Sequence, residues 1–416
     1  MKGFFNLKEV VPKGKKIKVT DDMDFGCSLC GLEEGCRSPR MGVTGEGRLG
    51  VLIIAEAPGE LEDYKGVQLV GPAGQCLRRT LGKIGVDLDR DCWKINAVNC
   101  RPPENETPNE IQYRSCQVEM VSKTIEKLSP SVVVLLGGTA LNQWLKSIKW
   151  SEKGSIGVFR GYTIPDSLRD MWVCPTLHPS YVMRQGFGRN GKPNPENVAE
   201  VIWQQDLERA FGMADTDIPD HLSLYQCKTK NEGESWEILD YLATTNDKYP
   251  IISFDYETTG LKPQRRGHRI VSCSVCYNPE VSFAFEMTSS IHKHVVRFLQ
   301  SKHPKTAHNM KFEDIWSNVI LETPVNNWAW DTCIAAHILD NRAGTKRLDF
   351  QGLVHFGVSD YCSEISPFLK GVDEKDANSF NRINEIPINK LLKYNAMDSL
   401  IGYNLALKQM SMIGAQ

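Results

Sequence analysis

Gly50-Val-Leu-Ile-Ile-Ala-Glu-Ala-Pro-Gly59 decides the reading of the first half of the chain. Residues 51–55 are continuously apolar and short, as in a buried strand, and Pro58-Gly59 is a turn signal placed directly after them. Working outward, Trp93–Val98, Ser131–Leu136 and Trp172–Leu177 read as further strands. Residues 73–85, Ile111–Leu128, Gly138–Leu145 and Asn197–Ala210 have helical spacing. Apolar strands alternating with helices predict an α/β domain with a mostly parallel sheet.

Residues 211–222 have few apolar anchors and mark a boundary. Beyond it Ile251–Tyr256, Ile270–Tyr277 and Val281–Phe285 read as strands. Ser235–Leu242, His292–Leu299, Met310–Val319, Thr332–Leu339, Phe350–Phe356 and Leu391–Met410 read as helices. No repeat relates the two halves, so the reading is two different α/β domains. The expected division is an arm over 1–25, a first domain over 26–210, a linker over 211–234 and a second domain over 235–416.

The 416 residues are 41% hydrophobic and 24% charged with a net charge of −2, which excludes a disordered or fibrous chain. No stretch reaches the roughly 18 apolar residues of a membrane helix, and the first ten residues do not read as a signal peptide. The expectation is a cytoplasmic protein with no membrane partner. In a reducing compartment, thirteen cysteines do not form a disulfide framework. Cys27-Ser-Leu-Cys30, followed by Cys100 and Cys116, is a thiolate set that suits zinc or an iron–sulfur cluster, and spacing alone does not choose between them.

Ala55-Glu-Ala-Pro-Gly-Glu-Leu-Glu-Asp63, Val70-Gly-Pro-Ala-Gly-Gln75, Asn96-Ala-Val-Asn-Cys-Arg-Pro-Pro103, Leu136-Gly137 and His178-Pro-Ser-Tyr181 come in this order along the first half. Together they resemble the family 4, iron–sulfur uracil-DNA glycosylases. The resemblance implies a three-layer α/β/α fold that excises uracil from DNA, with a [4Fe–4S] cluster on Cys27, Cys30, Cys100 and Cys116. It implies that Asn96 reads the uracil edge and that His178 donates to the charge developing at O2. Glu56 and the backbone of Ala57–Gly59 would shape the water side, with Glu62 and Asp63 a downstream acidic pair. Two residues depart from the pattern. Ala55 stands where the family has Gly. Leu69, in Val67-Gln-Leu-Val-Gly71, replaces the aromatic under the flipped base. Base–aromatic stacking is worth roughly 1–3 kcal/mol, so capture is expected to weaken by about one to two powers of ten. Arg184, Arg189 and Lys192, interleaved with Tyr181 and Phe187, suit a phosphate-contacting loop or a solvated surface equally.

The second half carries carboxylates. Asp255 and Glu257, in Phe254-Asp-Tyr-Glu-Thr-Thr-Gly260, lie two apart on a strand and face one side. Tyr394 and Asp398 share a helix face, and Ala307-His-Asn-Met-Lys-Phe-Glu-Asp314 lies between the two motifs. Such an oxygen-rich site can hold two Mg²⁺ or Mn²⁺ ions about 3.5–4 Å apart for phosphodiester hydrolysis.

These three motifs in order resemble the DnaQ-like 3′–5′ exonucleases, the proofreading domain of family A DNA polymerases. The resemblance implies an RNase H-like fold with a mixed sheet. It implies metal ligation by Asp255, Glu257, Glu313 and Asp398, a Tyr394 that orients the attacking water, and a 3′-nucleotide site lined by Thr258 and Asn309. Trp330-Asp331-Thr332 matches a helix-start motif that follows. Glu313 stands where Asp is usual, with Asp314 as a fallback. Cys273 and Cys276, three apart in a strand, are expected on opposite faces as buried thiols, and His308 as a local hydrogen-bonding group. The combined expectation is a bifunctional DNA-processing enzyme in a bacterial or virus-infected bacterial cell, served by a separate DNA polymerase or replication complex. The alternative is a first domain that only binds DNA, attached to an active exonuclease.

Overall fold

The computed structural model describes residues 19–20, 23–186, 198–245, 248–373 and 375–414. The expected arm lies almost wholly outside these residues, as do Phe187, Arg189 and Lys192.

The first sheet contains β1 (Val51–Ala55), β2 (Cys92–Asn96), β3 (Val132–Leu136), β4 (Ile164–Asp166) and β5 (Met171–Thr176), in the order β2-β1-β3-β5-β4. All pairs are parallel except β4–β5. The apolar runs are explained by burial on both faces. Leu52 and Ile54 enter one apolar cluster, while Val51, Ile53 and Ala55 enter the cluster on the other side. β4 went unread because three residues around Pro165 carry no pattern, and Pro is tolerated there at the sheet edge. The helical run expected over 111–128 is present, but it widens into one π turn at Gln117–Val121, directly after Cys116.

The second sheet contains β6 (Gln226–Thr229), β7 (Ile252–Thr258), β8 (Ile270–Cys276), β9 (Val281–Glu286), β10 (Lys305–Ala307) and β11 (Trp328–Asp331). Its order is β11-β10-β7-β8-β9-β6. The β7–β8–β9 meander is antiparallel, and β10, β11 and β6 add in parallel, so the sheet is mixed and RNase H-like. The long helix Ile388–Met412 lies across it. Cys273 and Cys276 belong to different apolar clusters, as expected for opposite faces.

Three strands of this sheet, β6, β10 and β11, differ from the sequence expectation. Residues 211–234, expected as a linker, include the helix His221–Leu224 and strand β6, which pairs with β9. β6 is a polar, largely exposed edge strand without apolar alternation. β10 was hidden by Lys305, which is fully buried. Its ammonium donates to the carbonyl oxygens of Ser301, His303 and Asn326, which compensates the charge inside the sheet.

The two domains share a core. Phe350, Leu353 and Val354, on the helix Leu348–Phe356, lie in the same apolar cluster as Leu52, Ile54 and Val133 of the first sheet. Phe350 meets Phe159 edge to face at 5.0 Å. The Tyr162 hydroxyl donates to Asp340 at 2.8 Å, and Arg342 donates to the carbonyls of Gly157 and Arg160. Among the described residues, no helix is long and apolar enough to cross a membrane.

Candidate active sites

The first site lies where parallel strands end, the usual place for a ligand in such a sheet. β1 and β2 end side by side at Ala55 and Asn96, and His178 follows β5 by two residues. Together with Ala57, Gly59, Leu69 and Arg184, Asn96 and His178 line a cavity of 390 Å³. Of the residues expected there, Glu56 does not line it. Its carboxyl is half-buried near Arg184, and burial raises its pKa.

Asn96 is clamped through its backbone. Its N–H donates to Asn99 Oδ1 at 3.1 Å, and its carbonyl accepts from Asn99 Nδ2 at 2.8 Å. The side-chain Nδ2 of Asn96 is buried and has no hydrogen-bond partner. An orphaned buried donor costs free energy unless something fills its place. His178 accepts the Ser180 backbone N–H on Nδ1 at 3.2 Å, which leaves the ring proton on Nε2. Burial, and secondarily the positive Arg184, lowers its pKa to about 4, so the imidazole is neutral near pH 7. Gly137 makes room for it, because a Cβ there would sit 3.0 Å from His178 Cβ.

Leu69 is 5% exposed and left-handed at φ +55°. Its carbonyl accepts from Arg78, and Gly74 packs so tightly on it that a Cβ would come within 1.7 Å of that oxygen. Strain of this kind persists where the surroundings over-determine the backbone. The acidic pair holds loops. Glu62 Oε1 accepts the Gly71 N–H at 2.8 Å, and Asp63 accepts the N–H groups of Arg37 and Ser38. Asn99 was missed by sequence reasoning, although its place beside Asn96 in the same motif was the available signal.

The four expected cysteine ligands lie in one neighbourhood, but among the described residues no three of their sulfurs fall within 4.8 Å of one another. Cys27 and Cys30 occupy a single helical turn closed by left-handed Gly31. The Cys116 thiol lies within electrostatic reach of both, and Cys100 lies beside Cys116 and Cys36. Cys100 Sγ accepts the Arg40 N–H at 3.2 Å, and Cys116 Sγ accepts the Asn99 N–H at 3.4 Å. Burial pushes both thiols up to about 12.

The second site is built on β7. Asp255, Glu257 and Asp398 bring carboxylate oxygens within 4.8 Å of one another. Among the described residues, this is the one group of three or more such side chains drawn so close. Glu313 is 2% exposed, electrostatically coupled to Asp255, and its Oε2 has no partner. Desolvation, and then the neighbouring carboxylates, holds Asp255 and Glu257 well above the usual carboxylate range. Asp314, the fallback, is committed elsewhere, accepting the Trp328 indole N–H at 3.1 Å and the Asn318 amide.

Tyr394 lies against Asp398. Asn309, left-handed at φ +73°, donates its N–H to Asp331, whose carboxylate also caps the helix Thr332–Leu339. His308 bonds Thr332 Oγ1 locally, as expected. Thr258 is turned inward, with its hydroxyl on the Gly260 carbonyl at 2.7 Å. Sequence reasoning missed Asn395, which donates to Asp255 Oδ2 at 2.7 Å and is itself held by Ser272. It also missed Tyr361, whose hydroxyl donates to Asp398 Oδ1 at 2.8 Å. Asn395 sits inside the Tyr394–Asp398 motif, so a signal existed. Tyr361 is 37 residues upstream of Asp398, and nothing local marks it.

Residues 41–204 match the family model of the uracil DNA glycosylase superfamily. The type-4 uracil-DNA glycosylase of Thermotoga maritima is 36% identical over 170 residues, covering 40% of this chain and 80% of that protein. The Pyrobaculum aerophilum type-4 enzyme is 33% identical over 188 residues, covering 45% and 88%. A DNA polymerase of Bacillus phage SP01 is 24% identical over 419 residues, covering 94% of this chain but only 42% of the polymerase. Among solved structures, Brucella melitensis NrnC aligns with 41% of this chain and 77% of its own, at 18% identity and a TM-score of 0.31. Through residues 41–204 the chain belongs to the uracil DNA glycosylase superfamily, as a homologue of the type-4 enzymes.

Proposed function

We infer that this protein excises uracil from DNA at the first site and removes 3′-terminal nucleotides at the second. The first reading rests on one observation: the unpartnered Asn96 amide and a neutral His178 line the same cavity. A base must leave the stack to be cleaved at its sugar bond. Asn96 Nδ2 then donates to a uracil carbonyl, while its Oδ1 accepts from the ring N–H. As the C1′–N1 bond breaks, negative charge develops on the uracil. The neutral His178 donates from Nε2 to that charge without having to lose a positive charge first. The test is uracil release from a single-stranded oligonucleotide with His178→Ala as control. No release above that control removes the claim. The alternative, a first domain that only binds DNA, is favoured by Leu69 in place of an aromatic floor.

The second reading rests on four buried carboxyls converging with no cation beside them. Like charges so placed call for divalent cations, and the unpartnered Glu313 Oε2 fits that demand. Asp255, Glu257, Asp398 and Glu313 would hold Mg²⁺ or Mn²⁺, which supplies water activation and leaving-oxygen stabilisation when bound. Asn395 fixes the Asp255 carboxylate, Tyr394 borders the space for the attacking water, and Asn309 and Thr258 border the terminal nucleotide. Mg²⁺-dependent mononucleotide release from a 3′ end, lost in Asp255→Ala, tests it.

We also propose that Cys27, Cys30, Cys100 and Cys116 hold a [4Fe–4S] cluster. Two backbone N–H···S bonds suit thiolates, and burial makes free thiolates costly unless a metal takes them. Sulfur donors suit zinc or an iron–sulfur cluster, and the resemblance to the iron–sulfur glycosylases favours the cluster. An iron and sulfide assay decides. The alignment with a phage DNA polymerase supports a polymerase as partner, in a bacterial or phage-infected cell.

A further inference from the structure

We propose that Tyr361 is a positioning residue of the second site, and that the glycosylase-like domain sets its position. The inference rests on the exonuclease reading of that site. Tyr361 holds Asp398 directly. Its hydroxyl donates to Oδ1 at 2.8 Å, and its ring stacks on Tyr394 with centroids 5.8 Å apart and planes at 21°. One side chain therefore fixes both residues of the Tyr394–Asp398 pair. The Asp398 carboxylate has an oxygen within 4.8 Å of those of Asp255 and Glu257, so its orientation sets the geometry of the group.

The segment that leads to Tyr361 is anchored on the first domain. Five residues earlier the helix Leu348–Phe356 ends, and that helix buries Phe350, Leu353 and Val354 in the core of the first domain. Gly357 terminates it at φ +68° and lies so close to β4 that a Cβ would come within 2.3 Å of the Pro165 carbonyl oxygen. Tyr361 then packs against the cluster of Phe356, Val358, Ile401 and Leu405. A second tie is ionic. Arg347 bridges Glu152 of the first domain to Asp349 on the same helix. A shift of the first domain against this helix is therefore delivered to Asp398 through a short, pinned segment.

The experiment uses the full chain. Tyr361→Phe keeps the ring and removes the hydroxyl. Its Mn²⁺ affinity, read by calorimetry without turnover, is expected to fall about tenfold, the weight of one hydrogen bond to a charged group. At saturating Mg²⁺, kcat for 3′-nucleotide release falls by a similar factor, while KM for a single-stranded oligonucleotide and Tm stay within about twofold and about two degrees. Phe350→Leu, which loosens the helix in the first domain's core, lowers kcat in the Tyr361 protein and adds little in the Tyr361→Phe background. Unchanged Mn²⁺ affinity in Tyr361→Phe overturns the positioning role. Fully additive effects in the double variant overturn the coupling to the first domain. A wild-type chain that binds Mn²⁺ but releases no nucleotide counts against the exonuclease reading and leaves the affinity comparison intact.

Discussion

The two sites solve opposite electrostatic problems. The first sets a histidine of depressed pKa and an unpaired amide in a mostly apolar cavity that Arg184 also lines. The second gathers four carboxyls whose pKa values are raised first by burial and then by neighbouring carboxylates, Asp349 among them for Asp398. The first leaves a buried amide donor without a partner. The second draws carboxylate oxygens within 4.8 Å of one another, an arrangement that positive charge would stabilise. A polar cluster that is merely unpaired selects an organic ligand, whereas one that is overcharged selects cations.

The sharpest way to break this contrast is to remove the cations. A chelator, or Asp255→Ala, should lower 3′-nucleotide release by about three powers of ten or more, since the carboxylates act as a unit. Uracil release in the same sample should hold. If the chelator stops both reactions equally, the contrast is wrong. Next in size, His178→Ala should slow uracil release by about 10²–10³, the usual cost of losing one preorganised donor, and leave nucleotide release unchanged. The pH profile sharpens the same point. With a histidine pKa of about 4, kcat/KM for uracil release should stay level down to about pH 5 and fall below it. A break near 6.5 would show a histidine that titrates normally.

Leu69→Phe has a smaller expected effect. It restores a ring beneath the base and should lower KM for uracil-containing DNA about tenfold. No change in KM would indicate that the left-handed backbone at Leu69 carries the ring away from the base. The smallest effect is on stability. Asp398 is raised to about 7, so between roughly pH 4 and pH 7 the folded state holds more protons than the unfolded chain. The metal-free wild type should therefore gain stability relative to Asp398→Asn as pH falls through that window. Paired melting curves at pH 5 and pH 7.5 test the sign, and saturating Mg²⁺ should erase the wild-type deficit at the higher pH.

The sequence was most legible where one segment carries both its structure and its chemistry. Asp255 and Glu257 share a strand face by the two-residue period, and the structure brings them together with Asp398. The β1 run identified a strand buried on both sides, and two apolar clusters divide its residues. Legibility failed where tertiary contacts outweigh local pattern. β10 carries a buried lysine compensated by three carbonyl oxygens from neighbouring turns, and no window around Lys305 contains that information. β6 is polar because it is an exposed edge. Tyr361 reaches its partner across 37 residues, so neither spacing nor composition signals it. Within the first site, Glu62 reads as a chemical acid by type, but its hydrogen bond to the Gly71 N–H makes it a loop tie.

The shared core changes where this molecule can be cut. By secondary structure alone the chain offers a break after Phe211, where the helix Ala199–Phe211 ends. A fragment ending there leaves Phe350, Leu353 and Val354 behind on the other piece. At about 1.5–3 kcal/mol for each large apolar side chain, the loss is about 6 kcal/mol, comparable with the roughly 5–15 kcal/mol that keeps a whole domain folded. The apolar core on one face of the first sheet is therefore assembled from two separate stretches of the chain. One contributing helix, Leu348–Phe356, lies well over a hundred residues downstream of Phe211, inside the stretch that builds the second domain. Truncation after Phe211 would therefore open the face of the first sheet that Phe350, Leu353 and Val354 cover.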